Sequence, residues 1–218
     1  MPLPALSNAQ LQPSSESDIS SLRILLALSP FRRLLVVGAL VLGSHALHDT
    51  FAMIRWAEAG IDSVTASVLW SESVAAEVVV FFLIGPALLR RLGPARAAAL
   101  AATAAALRWV VMAMTAEVVG LALVEPLHGL SFALLHLAAM QLIGANVPLR
   151  LAATAQAVYG TLAIGASTAL LTFASGWLYA WFASASFWVM ALLRIIAIPL
   201  IAGLTSSFSN SSPTQAKG

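Results

Sequence analysis

VTASVLWSESVAAEVVVFFLIGPALLRRLGPAR, residues 64–96, carries an apolar run from Val64 to Leu89 that stops abruptly at Arg90 and Arg91. A helix crossing the hydrocarbon core of a bilayer needs about 20 apolar residues, and this run exceeds that length. Working outward, five more such runs follow the same pattern: Leu34–Ile54, Ala97–Thr115, Glu117–Val147, Leu151–Trp177 and Ala183–Leu204. The basic residues between them fall in alternate gaps. Arg23, Arg32 and Arg33 precede the first run, Arg90, Arg91 and Arg96 follow the second, Arg150 follows the fourth, and Lys217 lies in the tail. The first gap holds only Arg55, and the third and fifth hold none. Basic residues concentrate on the cytoplasmic side of a membrane, so the pattern predicts a multi-pass protein with both termini cytoplasmic.

Composition agrees. Hydrophobic residues make up 60% of the 218 residues, charged residues 9%, and the mean hydropathy is +0.92. An ordinary soluble domain carries about 25% charge. Within lipid the backbone must satisfy itself, as helices or a closed barrel. The runs here are continuous and rich in Ala and Leu, not alternating, so the expectation is an all-α integral membrane protein with a bundle of six transmembrane helices. The net charge of +2 forms no Lys/Arg stripe, which argues against a nucleic-acid surface. Without cysteine there are no disulfides, thiolate metal sites or cysteine nucleophiles.

The ends are different material. Residues 1–30 read as a leader: Ser7–Ser21 is polar and expected to be disordered, and Leu22–Leu28 is expected to form a short interfacial helix ending at Pro30. Acids rather than bases precede that apolar segment, and it is short, so it does not read as a signal peptide. The six-helix domain is expected over residues 31–205, and a polar, disordered tail over 206–218.

Ionisable residues inside spans are costly and mark functional sites. The first run carries His45, His48 and Asp49, which share one helix face at i, i+3 and i+4. The second carries Glu72 and Glu77, the third Arg108, the fourth Glu125, His128 and His136, the fifth Gln156 and Tyr159, and the sixth Arg194. With a rise of about 1.5 Å per residue, His45, Glu77 and Arg108 all lie roughly 16–18 Å from the cytoplasmic ends of their helices. That common depth predicts a buried ion pair between Glu77 and Arg108, either as plain charge neutralisation or as part of a transport path. Glu125 and His128 share a face, and a His beside a carboxylate can take up and release a proton. A His bonded only to a backbone carbonyl is the plainer reading of each. Gln156 and Tyr159 make a third, uncharged polar face. The cluster His45, His48 and Asp49 also has metal-ligand spacing, but the chain has only four His and no second box. No Gly-x-Ser-x-Gly elbow is present, so neither a metal, a cofactor nor an enzyme activity is expected.

The boundary Gly85-Pro-Ala-Leu-Leu-Arg-Arg-Leu-Gly93-Pro-Ala-Arg96 resembles the loop signature between the second and third helices of each half of the major facilitator superfamily. Arg91, Leu92 and Gly93 match its later part. Arg90 stands where the family has an acid, and Gly85 is one residue out of register. Ala76-Glu77-Val78, Ala106-Leu107-Arg108-Trp109, Leu127-His128-Gly129-Leu130-Ser131-Phe132, His136-Leu137-Ala138-Ala139-Met140, Ala153-Thr154-Ala155-Gln156-Ala157-Val158-Tyr159 and Ser175-Gly176-Trp177-Leu178-Tyr179 resemble the second half of its phenylpropionate permease branch. The resemblance implies half of a proton-coupled secondary transporter for small organic acids, often aromatic, in a bacterial inner membrane. It implies that the first and fourth helices line the cavity, making His45, His48, Asp49, Glu125, His128 and His136 substrate or proton residues; the polar face of Gln156 and Tyr159 makes those two further cavity candidates. The third and sixth helices would be peripheral. Such transporters have twelve helices, with the site between two halves, so a missing N-terminal half or a second copy of this chain is the expected partner. The rival expectations are a membrane remnant that assembles with other helices without transporting and, more distantly, a metal-dependent membrane enzyme.

Overall fold

The computed structural model describes residues 15–209, and its regular elements are all helical. The first four spans are Ser29–Glu58, Ser63–Leu92, Pro94–Met114 and Val118–Asn146. The remaining apolar stretch, Leu149–Leu204, is one helical run of 56 residues by length. It is nonetheless two crossings. Ala183 adopts a left-handed φ of 44° and a short 3-10 turn, Ala183–Ala185, follows it. Before the break, the Tyr179 hydroxyl donates to Glu58 Oε2 at 3.0 Å, at the end of the first span. After it, Arg33 Nη1, at the start of the first span, donates to the Gly203 carbonyl at 2.7 Å. The fifth span (149–182) and the sixth (Ser186–Ser209) therefore run in opposite directions. Six crossings leave both ends of the described chain on one side.

Boundaries differ from the sequence expectation in instructive ways. The second span continues through Arg90 and Arg91 to Leu92, and the third begins at Pro94. Only Gly93 separates them, at φ 75°, a conformation that glycine adopts without strain, and proline suits the first turn of the helix that follows. The sixth helix runs past Leu204 to Ser209, into the expected tail. The leader helix covers Ser15–Ala27, so residues 15–21 are helical where disorder was expected. Its apolar period reaches back to Ile19, through Leu22 to the buried Leu25, and a longer helix offsets its costly nucleus. The parts of the leader and tail at 1–14 and 210–218 lie outside the described residues.

Charged side chains close the helix ends. Arg32 Nη1 donates to the Leu26 and Ala27 carbonyls at 2.7 and 3.1 Å, ending the leader helix. Arg55 donates to Met112 O, and to Thr115 O at 3.0 Å, at the end of the third span. Cations there satisfy orphan carbonyls and oppose the helix dipole. At the start of the second span, Asp62 Oδ1 accepts from the Val64 and Thr65 amides at 2.9 and 3.1 Å, and Oδ2 accepts from the Thr65 hydroxyl at 2.7 Å. Those bonds, the hydroxyl's foremost, hold the Asp62 carboxyl below its ordinary value.

Small residues set the packing. Ala97, Ala98, Ala101, Ala102 and Ala105 of the third span are fully buried, which lets the fourth and sixth helices pack close against it. Two apolar layers result. One contains Val41, Leu42, Ala101, Ala133, Ala138 and Ala197, and the other Leu47, Trp109, Met112, Leu121, Val124 and Met190. Ser44, His45, Arg108, Glu125, Ser131 and Arg194 are buried where these helices pass from one layer to the other. Three spans also widen into π turns, at Val80–Ile84, Leu130–Leu134 and Tyr159–Ala166. The first lies just ahead of Pro86, which has no N–H to give the helix. Val64, Val68, Phe82 and Leu83 of the second span and Leu170, Phe173, Trp177 and Trp181 of the fifth point outward.

Candidate functional site

Arg108 stands at the centre of the polar layer, fully buried beside an equally buried Glu125. Its Nη2 donates to Glu125 Oε2 at 2.5 Å and to His48 Nε2 at 3.1 Å. Its Nη1 donates to His128 Nδ1 at 3.2 Å. A guanidinium can only donate, so both imidazole nitrogens facing it are acceptors. His128 then presents its Nε2 proton to Glu77 Oε2 at 3.3 Å, and His48 its Nδ1 proton to Asp49 Oδ1 at 3.3 Å. The second oxygen of Glu125 lies 3.3 Å from His48 Nε2. One connected chain results: Asp49, His48, the Arg108–Glu125 pair, His128, Glu77. Its ends are open, with Asp49 51% exposed and Glu77 31%, while His48 and Glu125 are 2% and 0%.

Aromatic rings hold this chain in place. Trp70 stacks on His48 with centroids 5.1 Å apart, and Trp56 meets it edge-on at 5.9 Å. The Arg108 guanidinium lies 4.7 Å from the centre of the Trp109 ring, and Phe132 stacks on His128 at 5.6 Å. Asp49, Met53, Ser67, Trp70 and Ser71 line an open cleft of about 440 Å³ between the first and second spans, leading to the Asp49 end.

The expected pair of Glu77 with Arg108 does not form. The two residues share a depth but not a direction: His128 stands between them, and Arg108 turns to Glu125. His45 faces away from the chain's carboxylates, bonding Ser131 Oγ through Nε2 at 3.1 Å. His45 and His48 thus address different partners despite their metal-like spacing, and among the described residues no three His, Asp or Glu side chains are grouped to hold a metal ion. His136, half-buried, meets Phe81 and Tyr159 at ring distances of 6.3 and 6.5 Å, away from the central chain. Tyr159 is buried and its hydroxyl finds no partner among the described residues, while Gln156 is exposed.

Sequence reasoning missed Ser44, Trp70, Trp109 and Ser131 as parts of the site and assigned Arg194 to a peripheral helix. Ser131, three residues after His128, was findable by spacing, and its hydroxyl does bond the His128 carbonyl at 3.1 Å. Nothing in sequence marks Ser44 as the break in the first span, between Ser29–Gly43 and His45–Glu58.

Residues 9–190 match the MFS_1 like family. The chain belongs to that family. It is also 36% identical, over 169 residues, to a probable 3-phenylpropionic acid transporter of Escherichia coli (strain K12). These matches place the chain in the major facilitator superfamily, in its phenylpropionate permease branch, and the six spans are one half of that fold. The alignment covers 76% of this chain but 43% of the relative, so the facilitator-family chain spans less than half the length of the protein it resembles.

Proposed function

We propose that the chain is half of a proton-coupled secondary transporter for small organic acids, aromatic ones included, completed by a second six-helix unit. That unit is either a separate N-terminal half or a second copy of this chain. The observation that carries the reading is the continuous chain from Asp49 to Glu77, buried in the middle and open at both ends. A helix anchor has no use for six ionisable side chains bonded end to end across four spans.

The charge balance suits coupling. Asp49, Glu77 and Glu125, the carboxylates of the bonded chain, are set against Arg108 within it and Arg194 in the same buried layer, so with neutral imidazoles these five groups sum to one net negative charge. An organic anion is repelled until a proton arrives. One unit charge at 4 Å is worth about 4 kcal/mol at an effective dielectric of 20, enough to decide whether an anion binds. Arg108 supplies the gate for that proton. It occupies Nε2 of His48 and Nδ1 of His128, so neither ring can be charged until the guanidinium turns away. The carboxylate of an incoming acid competes for Arg108, and its success frees two imidazoles. Proton and substrate thus stabilise each other's binding, which is the reciprocity coupling demands.

The test is uptake of labelled 3-phenylpropionate by vesicles containing the full chain, alone and with a complementary half. Accumulation is expected only under an inward proton gradient, and His128→Gln and Asp49→Asn should each remove the gradient-driven part while leaving the protein folded. Uptake that ignores the gradient and survives both changes would sink the coupling. Binding without uptake in every combination would favour a non-transporting assembly partner.

The setting proposed is a bacterial inner membrane with the Arg32, Arg33, Arg90, Arg91, Arg96 and Arg150 side cytoplasmic, from the distribution of basic residues. A reporter fused after Gly218 should be active only if it works in the cytoplasm, and periplasmic activity would invert the topology.

A further inference from the structure

Arg194 is a buried cation without a carboxylate. It is fully buried in the sixth span; Nε donates to Ser44 Oγ at 2.5 Å and Nη2 to His45 Nδ1 at 3.1 Å, while Nη1 has no partner among the described residues. Its guanidinium lies 5.8 Å from the centre of the Trp109 ring, whose Nε1 also donates to Ser44 Oγ, at 3.2 Å. Ser44 is the residue at which the first span breaks, and its own proton goes to the Val41 carbonyl at 3.2 Å. A residue this costly to bury and this far from a counter-charge calls for a reason.

We propose that Arg194 is a positioning residue that fixes His45 as the neutral Nε2–H tautomer, making His45 a fixed support of the polar chain and not one of its proton carriers. His45 Nδ1 lies between Arg194 Nη2 and the Leu42 carbonyl, 3.1 and 3.2 Å away, and the assignment gives the nitrogen to the charged donor and leaves the carbonyl without a proton from it. Arg194 only donates, so Nδ1 of His45 accepts and carries no proton. Ser131 spends its single proton on the His128 carbonyl, so its oxygen accepts from His45 Nε2. The charged and titratable groups around the ring are Arg194 from the sixth span, Arg108 from the third, His128 from the fourth and His48 from its own helix. Among the described residues no carboxylate bonds to it. His48 and His128 each have a carboxylate to trade a proton with, and His45 has none. Held this way, the His45 ring stands nearly perpendicular to His128 and to Phe132, with centroids 5.1 and 5.8 Å apart. Arg194 therefore fixes one of the rings against which His128 packs, beside the Arg108 and Glu77 contacts that orient His128 itself. The inference rests on the transport reading only for the term proton carrier, because the tautomer itself is a property of the folded chain.

The measurement is nitrogen NMR of the full chain with labelled histidine, in lipid nanodiscs at neutral pH, with His45→Gln used to assign the signal. The unaltered protein should show His45 almost wholly protonated at Nε2. Arg194→Leu removes the donor to Nδ1 while leaving the Leu42 carbonyl 3.2 Å from that nitrogen. The population should then swing to Nδ1–H, with Ser131 turning its proton toward Nε2. Arg194→Lys keeps a donor and should keep the original tautomer. An Nδ1–H or doubly protonated His45 in the unaltered chain would overturn the proposal whatever the variants do. So would an Arg194→Leu protein that retains Nε2–H. Should Arg194→Leu fail to fold, the unaltered chain and Arg194→Lys decide the matter. Transport is not part of this readout, so vesicles that take up nothing leave the assignment standing, and a wrong tautomer leaves the transport reading standing.

Discussion

Arg108→Ala is expected to cost about 3–5 kcal/mol of stability, read as a large fall in the unfolding temperature and in the yield of monodisperse protein. The substitution leaves Glu125 fully buried with only His48 Nε2, at 3.3 Å, in reach. It also takes the donor from His48 and His128 together and removes the cation from the Trp109 ring. Glu125→Ala should cost less, because Arg108 keeps two imidazole acceptors and the Trp109 face. Exchanging the two residues should restore part of the loss, since the charges still meet. Glu77→Gln is the contrast. Glu77 is 31% exposed and touches His128, not Arg108, so that change should cost no more than about 1 kcal/mol, as for a partly solvated pair. An Arg108→Ala protein as stable as the unaltered chain, or a Glu77→Gln protein as damaged as Arg108→Ala, would place the counter-ion of Arg108 elsewhere.

That contrast also marks where the sequence stops being legible. Six spans could be read because hydropathy and basic residues are properties of segments, and lipid tolerates little else. The polar face of the first span was legible because i, i+3 and i+4 fix direction within one helix, and both His48 and Asp49 do join the chain. Pairing between helices was not. Rise per residue gives depth, and at equal depth Glu77 and Arg108 looked like partners, but rotation about each axis decides who meets whom. That rotation depends on π turns at Val80–Ile84 and Leu130–Leu134, each of which turns the rest of its helix; Pro86 hints at the first, and nothing comparable marks the second. Arg194 was misjudged for a related reason: a helix with an apolar outer face can still send one long side chain to the centre. The leader helix was cut short because its polar first turns hid a period that runs back to Ile19.

Gly129 is the position where the packing of two spans and the geometry of the site meet in one atom, and Gly129→Ala should damage both. A Cβ there would run into the Ala76 carbonyl oxygen and lie 2.7 Å from its carbon and 2.9 Å from Val80 Cγ2. The first two obstacles are backbone, so no rotamer change relieves them, and the second and fourth spans must move apart. Overpacking of this kind costs about 1–3 kcal/mol. The separation falls between the neighbours of the two residues it would disconnect, His128 beside Gly129 and Glu77 beside Ala76, whose bond is 3.3 Å long. The His128 Nε2–H signal should therefore lose its carboxylate partner in the same variant that unfolds earlier. Gly144→Ala supplies the control. It lies on the same helix with nothing within 4 Å of the added carbon, and alanine there should be neutral or stabilise by about 0.4–1 kcal/mol through the unfolded state. If Gly129→Ala unfolds no earlier than Gly144→Ala and keeps the His128 signal, the second and fourth spans do not touch at this point, and Glu77 is not the end of the chain that begins at Asp49.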